Sequence, residues 1–150
     1  MNVLIVDDEL AMRELVSRWL TPAGYVMFQA GTADEAIGVM AQHDIAVVLC
    51  DRAMPVRDGD WLVAQIRERF PAVAVILATA DDAVPARISL QDGVVGYLVK
   101  PFQPEQVRGA VGDAIAWHQA AKSPRRQNRD PDFLDDFLRR AGRPTPKGGA

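Results

Sequence analysis

A chain of 150 residues, of which 49% are hydrophobic and 25% charged, is long enough for one domain with its own core and has the balance of an ordinary globular protein. This excludes a disordered chain and a small disulfide-dependent scaffold. No apolar run approaches the ~20 residues that cross a bilayer, and no leader precedes the first predicted strand, so no membrane association is expected. The single cysteine, Cys50, is predicted to be a buried small hydrophobe, which fits a cytoplasmic protein.

The charge is distributed unevenly. Residues 1–118 contain 9 lysines and arginines against 16 acidic residues, whereas residues 119–150 contain 8 against 4. An acidic body is a poor surface for nucleic acid, so no direct nucleic-acid binding is expected. The change of sign predicts two parts, of which residues 1–118 form the domain. In the second part, the polar, basic composition predicts a linker over 119–130, capping and helical periodicity predict a short amphipathic helix over 131–141, and residues 142–150 are predicted to be a disordered tail.

Short apolar runs alternate five times with segments of helical periodicity. The predicted strands cover residues 3–6, 25–28, 46–50, 73–78 and 94–99. The predicted helices cover about residues 12–20, 33–41, 59–70 and 83–91, and a fifth begins at residue 104. Thr32 and Glu35 predict a capping box on the second helix. This alternation is typical of a parallel sheet with helices on both faces, whose strand order periodicity alone does not give.

Polar residues follow four of these strands directly. They are Asp7 and Asp8, Asp51, Thr79, and Lys100. Because the carboxyl ends of parallel strands meet at one edge of a sheet, we expect these side chains to converge there. Three crowded carboxylates repel one another unless a cation lies among them, and oxygen-only ligands favour a hard divalent ion such as Mg²⁺. A lysine adds a positive charge for a phosphate, and a carboxylate can itself accept a phosphoryl group.

Four motifs sit at these strand ends. They are Asp7-Asp8-Glu9, Asp51-x-x-Met54-Pro55-x-x-Asp58-Gly59, Thr79-Ala80, and Tyr97-Leu98-Val99-Lys100-Pro101-Phe102. In this order and spacing they resemble the receiver domain of bacterial two-component response regulators, of the chemotaxis-regulator type, over about residues 1–118. The resemblance implies a flavodoxin-like, doubly wound five-stranded sheet in the order 2-1-3-4-5 with five helices.

The resemblance also implies a role for each site residue. Asp51 would accept the phosphoryl group, and Lys100 would pair with it. Mg²⁺ would be bound by Asp8, Asp51 and the backbone carbonyl of Ala53, with Asp7 acting through a water.

Three further residues have implied roles in the resemblance. Pro101 would follow a cis peptide bond. Thr79 would hydrogen-bond the phosphoryl group, and Tyr97 would rotate as its loop moves inward, so that phosphorylation selects an active surface.

The implied protein is a phosphoacceptor rather than an enzyme, loaded by a histidine kinase or a histidine phosphotransfer protein. Its output is a downstream protein partner, or an effector domain missing from a fragment of a longer transcriptional or enzymatic regulator; a homodimer is left open. Two alternatives remain: an aspartyl-phosphate phosphatase, disfavoured because Ala53 stands where a second acid is needed, and a pseudo-receiver that only binds partners.

Several residues outside the motifs receive a simpler interpretation. His43 and His118 are predicted to be solvated residues on helix ends. Val94, Gly96 and Pro85 depart from the usual receiver pattern, and they concern the output surface rather than the site.

Overall fold

A computed structural model describes residues 1–80 and 93–123. The helix predicted over residues 83–91 lies outside this part, as do residues 124–130 of the predicted linker, the helix predicted over 131–141 and the tail over 142–150. Within the described ranges, no helix is both long and apolar enough to cross a bilayer.

The described residues form five strands, four α-helices and one short 3-10 turn. The strands are β1 (Asn2–Val6), β2 (Val26–Ala30), β3 (Ile45–Asp51), β4 (Ala74–Thr79) and β5 (Val94–Val99). The helices are α1 (Leu10–Leu20), α2 (Ala33–Gln42), α3 (Gly59–Arg69) and α4 (Pro104–Ala121), and the 3-10 turn covers Thr21–Ala23. α4 ends three residues past position 118, so the first residues assigned to the predicted linker are helical.

All five strands are parallel and lie in the order β2-β1-β3-β4-β5, which confirms the predicted flavodoxin-like topology. The register pairs Val6 with Cys50 and Thr79 with Val99. The residues that follow these positions are therefore level with one another at the carboxyl edge of the sheet.

Each central strand sends alternate side chains to opposite faces of the sheet. Leu4, Val48 and Leu77 belong to a core layer shared with α2 and α3. Their neighbours Ile5, Val47 and Ile76 belong to a second layer shared with α1 and α4. Burial on both faces explains why these strands are continuous apolar runs in the sequence.

Side chains cap the two helices that follow β2 and β3. Thr32 Oγ1 accepts from Glu35 N at 3.1 Å, and Asp58 Oδ1 accepts from Trp61 N at 2.9 Å. The Glu35 carboxylate accepts from Gly31 N at 3.1 Å instead of from Thr32 N, so only half of the predicted capping box forms. The second strand begins and ends one to two residues later than predicted, because its pairing with β1 extends to Ala30.

The prediction for His118 is wrong. Its ring lies in the last turns of α4 with only 4% of the residue exposed, and Nδ1 lies 2.6 Å from Ala72 O. His118 therefore fastens the end of α4 to the segment that enters β4.

His43 is exposed, as predicted, and its ring packs on Phe28 with 4.5 Å between ring centroids. Cys50 is buried, as predicted, and burial raises the pKa of its thiol.

Candidate functional site

Three carboxylates meet at the carboxyl edge of the sheet. Asp7 and Asp8 follow β1, and Asp51 is the last residue of β3. One carboxylate oxygen from each of these residues lies within 4.8 Å of the corresponding oxygens of the other two. Within residues 1–80 and 93–123, no other group of three or more His, Cys, Asp or Glu residues is clustered in this way. Asp7 and Asp51 are buried, whereas Asp8 is exposed. The structure thus brings together the acids that the sequence placed at separate strand ends.

Asp7 is held by bonds at each of its polar atoms. Its N–H donates to Ala30 O at 3.2 Å, and its own carbonyl accepts from Arg13 Nη1 at 2.6 Å. In the side chain, Oδ1 accepts from Glu9 N at 2.9 Å, and Oδ2 lies 3.3 Å from Lys100 Nζ. The backbone of Asp7 is therefore fixed to β2 and α1, and its carboxylate is fixed to Glu9 and Lys100.

Asp51 carries its carboxylate in a similarly constrained position. Oδ1 accepts from Ala53 N at 3.2 Å, and Oδ2 lies 3.2 Å from Lys100 Nζ. Burial raises the pKa of Asp51 above its ordinary value; Lys100 opposes this increase and Asp7 adds to it. Ionised Asp51 therefore depends on a nearby positive charge.

Lys100 supplies that charge at the end of β5. Burial alone would lower the pKa of its ammonium group, but the facing carboxylates of Asp51 and Asp7 outweigh burial, so the pKa of Lys100 is raised. Its backbone N–H donates to Thr79 O at 2.8 Å, which ties the ends of β4 and β5 together. The peptide bond between Lys100 and Pro101 is cis.

Thr79 and Tyr97 occupy different places relative to the acids. Thr79 is buried at the last position of β4, beside the backbone of Lys100. Tyr97 packs against the core layer of α2 and α3, and its buried hydroxyl has no hydrogen-bond partner in the described ranges. Burial raises the pKa of Tyr97 to about 12. The structure therefore places Tyr97 away from the acidic cluster itself.

The loop after Asp51 is closed by backbone contacts. Arg52 N donates to Ala78 O at 2.8 Å, and Gly59 N donates to Arg52 O at 2.9 Å. A Cβ at Gly59 would lie 2.8 Å from Arg52 Cα and 2.9 Å from Asp51 O, closer than real Cβ atoms come. Glycine at this position is what lets α3 begin directly against the Asp51 backbone.

Two arginine contacts were not found from the sequence. Arg52 donates through Nε and Nη2 to both carboxylate oxygens of Asp60, at 3.2 and 3.1 Å. Arg13 reaches the Asp7 carbonyl from α1. Arg13 lies six residues after Asp7, which is not a spacing at which helical side chains pair, so the sequence carries no signal for this contact.

The donor set fits a hard divalent cation. The three acids offer only oxygen, and the one ammonium group in contact with them leaves an excess of negative charge. Asp8 is exposed and makes no hydrogen bond or ion pair within the described part of the chain, so its carboxylate is available to a cation. Mg²⁺, which takes one or two carboxylates and keeps several waters, suits this arrangement.

The sequence matches the response regulator receiver domain family over residues 3–112. The chain belongs to this family. The predicted resemblance is therefore confirmed: the chain is a receiver of the two-component type. Receiver domains accept a phosphoryl group from histidine kinases and bind Mg²⁺ at a cluster of acidic residues.

Curated relatives carry the same domain within much longer proteins. The chain is 33% identical over 139 residues to the response regulator protein FleR of Pseudomonas aeruginosa, covering 92% of this chain and 28% of FleR. It is 34% identical to the DNA-binding transcriptional regulator NtrC of Salmonella typhimurium, covering 82% of this chain and 26% of NtrC. The chain thus spans about a quarter of the length of these relatives.

Solved structures agree with the fold. The response regulator TrrA from Thermotoga maritima, solved in complex with Mg²⁺ and BeF, is 27% identical to this chain. The superposition has a TM-score of 0.68 and covers 75% of this chain and 97% of TrrA.

Proposed function

We propose that Asp51 is the phosphoacceptor of this receiver and that a histidine kinase or a histidine phosphotransfer protein is its donor. The observation that carries this proposal is the position of Lys100 Nζ, 3.2 Å from Asp51 Oδ2 and 3.3 Å from Asp7 Oδ2. A single ammonium group bridges the candidate acceptor and a candidate metal-site acid. Phosphoryl transfer depends mainly on such positioning and neutralisation of charge.

The transfer forms one bond and breaks one. A carboxylate oxygen of Asp51 attacks the phosphorus atom of a phosphohistidine, the P–O bond forms, and the P–N bond breaks as the imidazole leaves. When bound, Mg²⁺ neutralises charge on the phosphoryl oxygens. Lys100 then exchanges its contact with the Asp51 carboxylate for a contact with the phosphoryl group, while Asp7 keeps it close.

The Mg²⁺ ligands would be the carboxylates of Asp8 and Asp51 and the carbonyl of Ala53, with Asp7 acting through a bound water. This assignment is supported by the clustering of the three acids and by the exposure of Asp8. It is further supported by the contacts of Asp7, since Oδ1 is already used by Glu9 N and Oδ2 by Lys100. Asp7 is therefore better suited to an indirect contact than Asp8 is.

Thr79 and Tyr97 would transmit the change to the surface. Thr79 lies at the end of β4, where a hydroxyl can follow the phosphoryl group. The buried hydroxyl of Tyr97 has no partner among the described residues, and this costs free energy that a rotation to a paired or solvated position would recover. Small changes near Thr79 can then shift the population of Tyr97 rotamers.

The receiver would control an effector, either in the same polypeptide or in a separate partner protein. Support for the first case comes from FleR and NtrC, whose matched regions form only about a quarter of their lengths. A domain boundary near residue 118 remains our proposal, with the charge reversal after that residue as its basis.

Intact mass spectrometry tests the acceptor. The wild-type chain is incubated with acetyl phosphate and Mg²⁺, and we expect it to gain one phosphoryl group that alkaline hydroxylamine removes. Asp51→Asn is expected to gain none. Asp58→Asn is the matched control, because asparagine caps a helix as well as aspartate does and Asp58 caps α3 in the same loop. Normal loading of Asp51→Asn would show that another residue is the acceptor.

A further inference from the structure

Arg13 links three segments beside the acidic cluster. From the first turns of α1, its Nη1 donates to Asp7 O at 2.6 Å, and its Nε donates to Gln29 Oε1 at 3.3 Å. The guanidinium also lies against Gly31, where a Cβ would come within 3.3 Å of Nη1. One side chain thus connects the end of β1 with the end of β2 and the segment that follows it.

These contacts act on the backbone of the acidic segment rather than on its carboxylates. Asp7 N is bonded to Ala30 O, and Asp7 O is bonded to Arg13, so both sides of this residue's backbone are fixed. The planar fork of arginine can hold two acceptors at once, whereas a lysine ammonium group is a single point charge on a flexible stem. Arg13 therefore sets the direction in which the chain leaves β1.

Of the three acids, Asp8 would be displaced most if that direction changed. Its exposed carboxylate makes no hydrogen bond or ion pair to the described residues, so only its backbone holds it in place. That backbone lies between Asp7, which Arg13 fixes, and Glu9, whose carbonyl accepts from Arg13 N at 3.2 Å. The bond to Glu9 is a main-chain bond that any residue at position 13 would form, so the Arg13 side chain acts on Asp8 only through the Asp7 carbonyl.

We propose that Arg13 is a positioning residue for the Mg²⁺ site: its guanidinium holds the Asp7 carbonyl and so keeps the Asp8 carboxylate beside Asp51. This inference rests on the proposed function, since it assumes that Mg²⁺ binds at Asp8 and Asp51. Through Arg13 and its contacts, α1 and β2 would contribute to the affinity of the site for Mg²⁺. Groups that orient metal ligands typically contribute 10- to 100-fold to affinity.

Calorimetric titration with Mg²⁺ tests the proposal on the folded 150-residue chain. Arg13→Met is expected to raise the Mg²⁺ Kd about tenfold, because the Asp7 carbonyl loses its donor. Arg13→Lys is expected to weaken binding as well, since it keeps the charge but loses the fork. Arg18→Met is the matched control: Arg18 is exposed on the same helix, and its side chain forms no hydrogen bond or ion pair within residues 1–80 and 93–123.

A second measurement separates positioning from general damage. Beryllofluoride, a phosphoryl mimic, is titrated at low and at saturating Mg²⁺ with tryptophan fluorescence as the signal. If Arg13 acts by placing Mg²⁺ ligands, saturating Mg²⁺ restores the wild-type beryllofluoride affinity in Arg13→Met. A defect that persists at saturating Mg²⁺ would mean that the whole site is disturbed and would overturn the proposal.

The remaining outcomes are also decisive. Wild-type Mg²⁺ affinity in folded Arg13→Met, or in Arg13→Lys should the methionine variant fail to fold, would overturn the positioning role alone. An equal loss in Arg18→Met would reduce the effect to net charge and would likewise overturn it. Failure of the wild-type chain to bind Mg²⁺ would overturn the proposed function, and this inference with it.

Discussion

Lys100 Nζ lies 3.2 Å from Asp51 Oδ2, although the two residues end different strands that are separated in the sheet by β4. The same nitrogen is 3.3 Å from Asp7 Oδ2, so Lys100, which follows β5, contacts two of the three acids. This contact offsets part of the cost of burying Asp51 in its charged form. It also places a movable positive charge where a phosphoryl group would be attached.

Lys100→Met should slow phosphorylation of Asp51 by at least tenfold, because the positive charge beside the transferring group is lost. Removal of Lys100 should also raise the pKa of Asp51 further, since the charge of Lys100 opposes the effect of burial. The rate in the variant should therefore keep increasing with pH over a range where the wild-type rate is already constant. The measurement is the initial rate of loading from acetyl phosphate with Mg²⁺ at several pH values.

Lys122→Met provides the control for loss of one lysine. Lys122 is half-exposed at the end of α4, where its ion pair with Asp44 spans 3.6 Å. Lys122→Met should be phosphorylated at the wild-type rate. If Lys100→Met did so too, with an unchanged pH profile, the ion pair with Asp51 would have no part in the reaction.

Asp51→Asn should stabilise the fold at neutral pH in buffer without Mg²⁺. Because the pKa of Asp51 is raised above its ordinary value of 3.8, the folded state loses stability as pH rises from 3.8 through the raised pKa. Asparagine does not ionise, so the variant does not lose stability in this way. If the gain is about 1 kcal/mol, the melting temperature rises by roughly 2–4 °C near pH 7. The gain should shrink as pH falls towards 3.8.

Thermal denaturation at several pH values measures this effect. Asp113→Asn is the control, because Asp113 is exposed on α4 and its side chain makes no hydrogen bond or ion pair to the described residues. Its melting temperature should follow that of the wild type across the series. A stabilisation of Asp51→Asn that stayed constant down to pH 4 would have a cause other than the ionisation of Asp51.

The sequence was sufficient to predict the cluster because its members end strands. Each apolar run stops at a polar residue, and parallel strands bring their carboxyl ends to one edge, so Asp7, Asp51 and Lys100 converge without knowledge of any side-chain contact. Strand order did not follow from periodicity. It came from the family resemblance, and the structure confirms it.

The contacts of Arg13 and His118 could not be predicted in the same way. Arg13 reaches Gln29 only because β2 lies beside β1, which is a fact of sheet order. His118 is buried because the loop before β4 passes under the end of α4 and presents Ala72 O. Helical periodicity gives the inward face of a helix but not the path of a loop across its last turn.

His118→Leu should lower the free energy of unfolding by about 1–2 kcal/mol. Leucine is a similarly bulky buried side chain, but it cannot bond to Ala72 O, and a lost hydrogen bond with an unpaired buried partner has a cost of this size. Urea denaturation measures the difference. His43→Leu, at the exposed histidine, should change stability by less than about 0.5 kcal/mol. Equal effects of the two variants would mean that the bond to Ala72 contributes nothing.

Gly59→Ala should destabilise the fold by about 1–3 kcal/mol and also reduce loading of Asp51. The added Cβ would lie 2.8 Å from Arg52 Cα and 2.9 Å from Asp51 O, and both are backbone atoms that cannot rotate away. To relieve these contacts, the loop between Asp51 and Gly59 must shift, and the shift alters the position of Asp51. Gly38→Ala is the matched control in α2, because nothing lies within 4 Å of its added Cβ.

Alanine at position 38 should stabilise the fold by up to about 1 kcal/mol, since glycine is a poor helix former, and leave loading unchanged. Urea denaturation and loading from acetyl phosphate are measured on both variants. The close approach of α3 to the Asp51 backbone predicts opposite signs for the two stability changes. A neutral or stabilising Gly59→Ala with normal loading would show that the start of α3 can move away from Asp51 without cost.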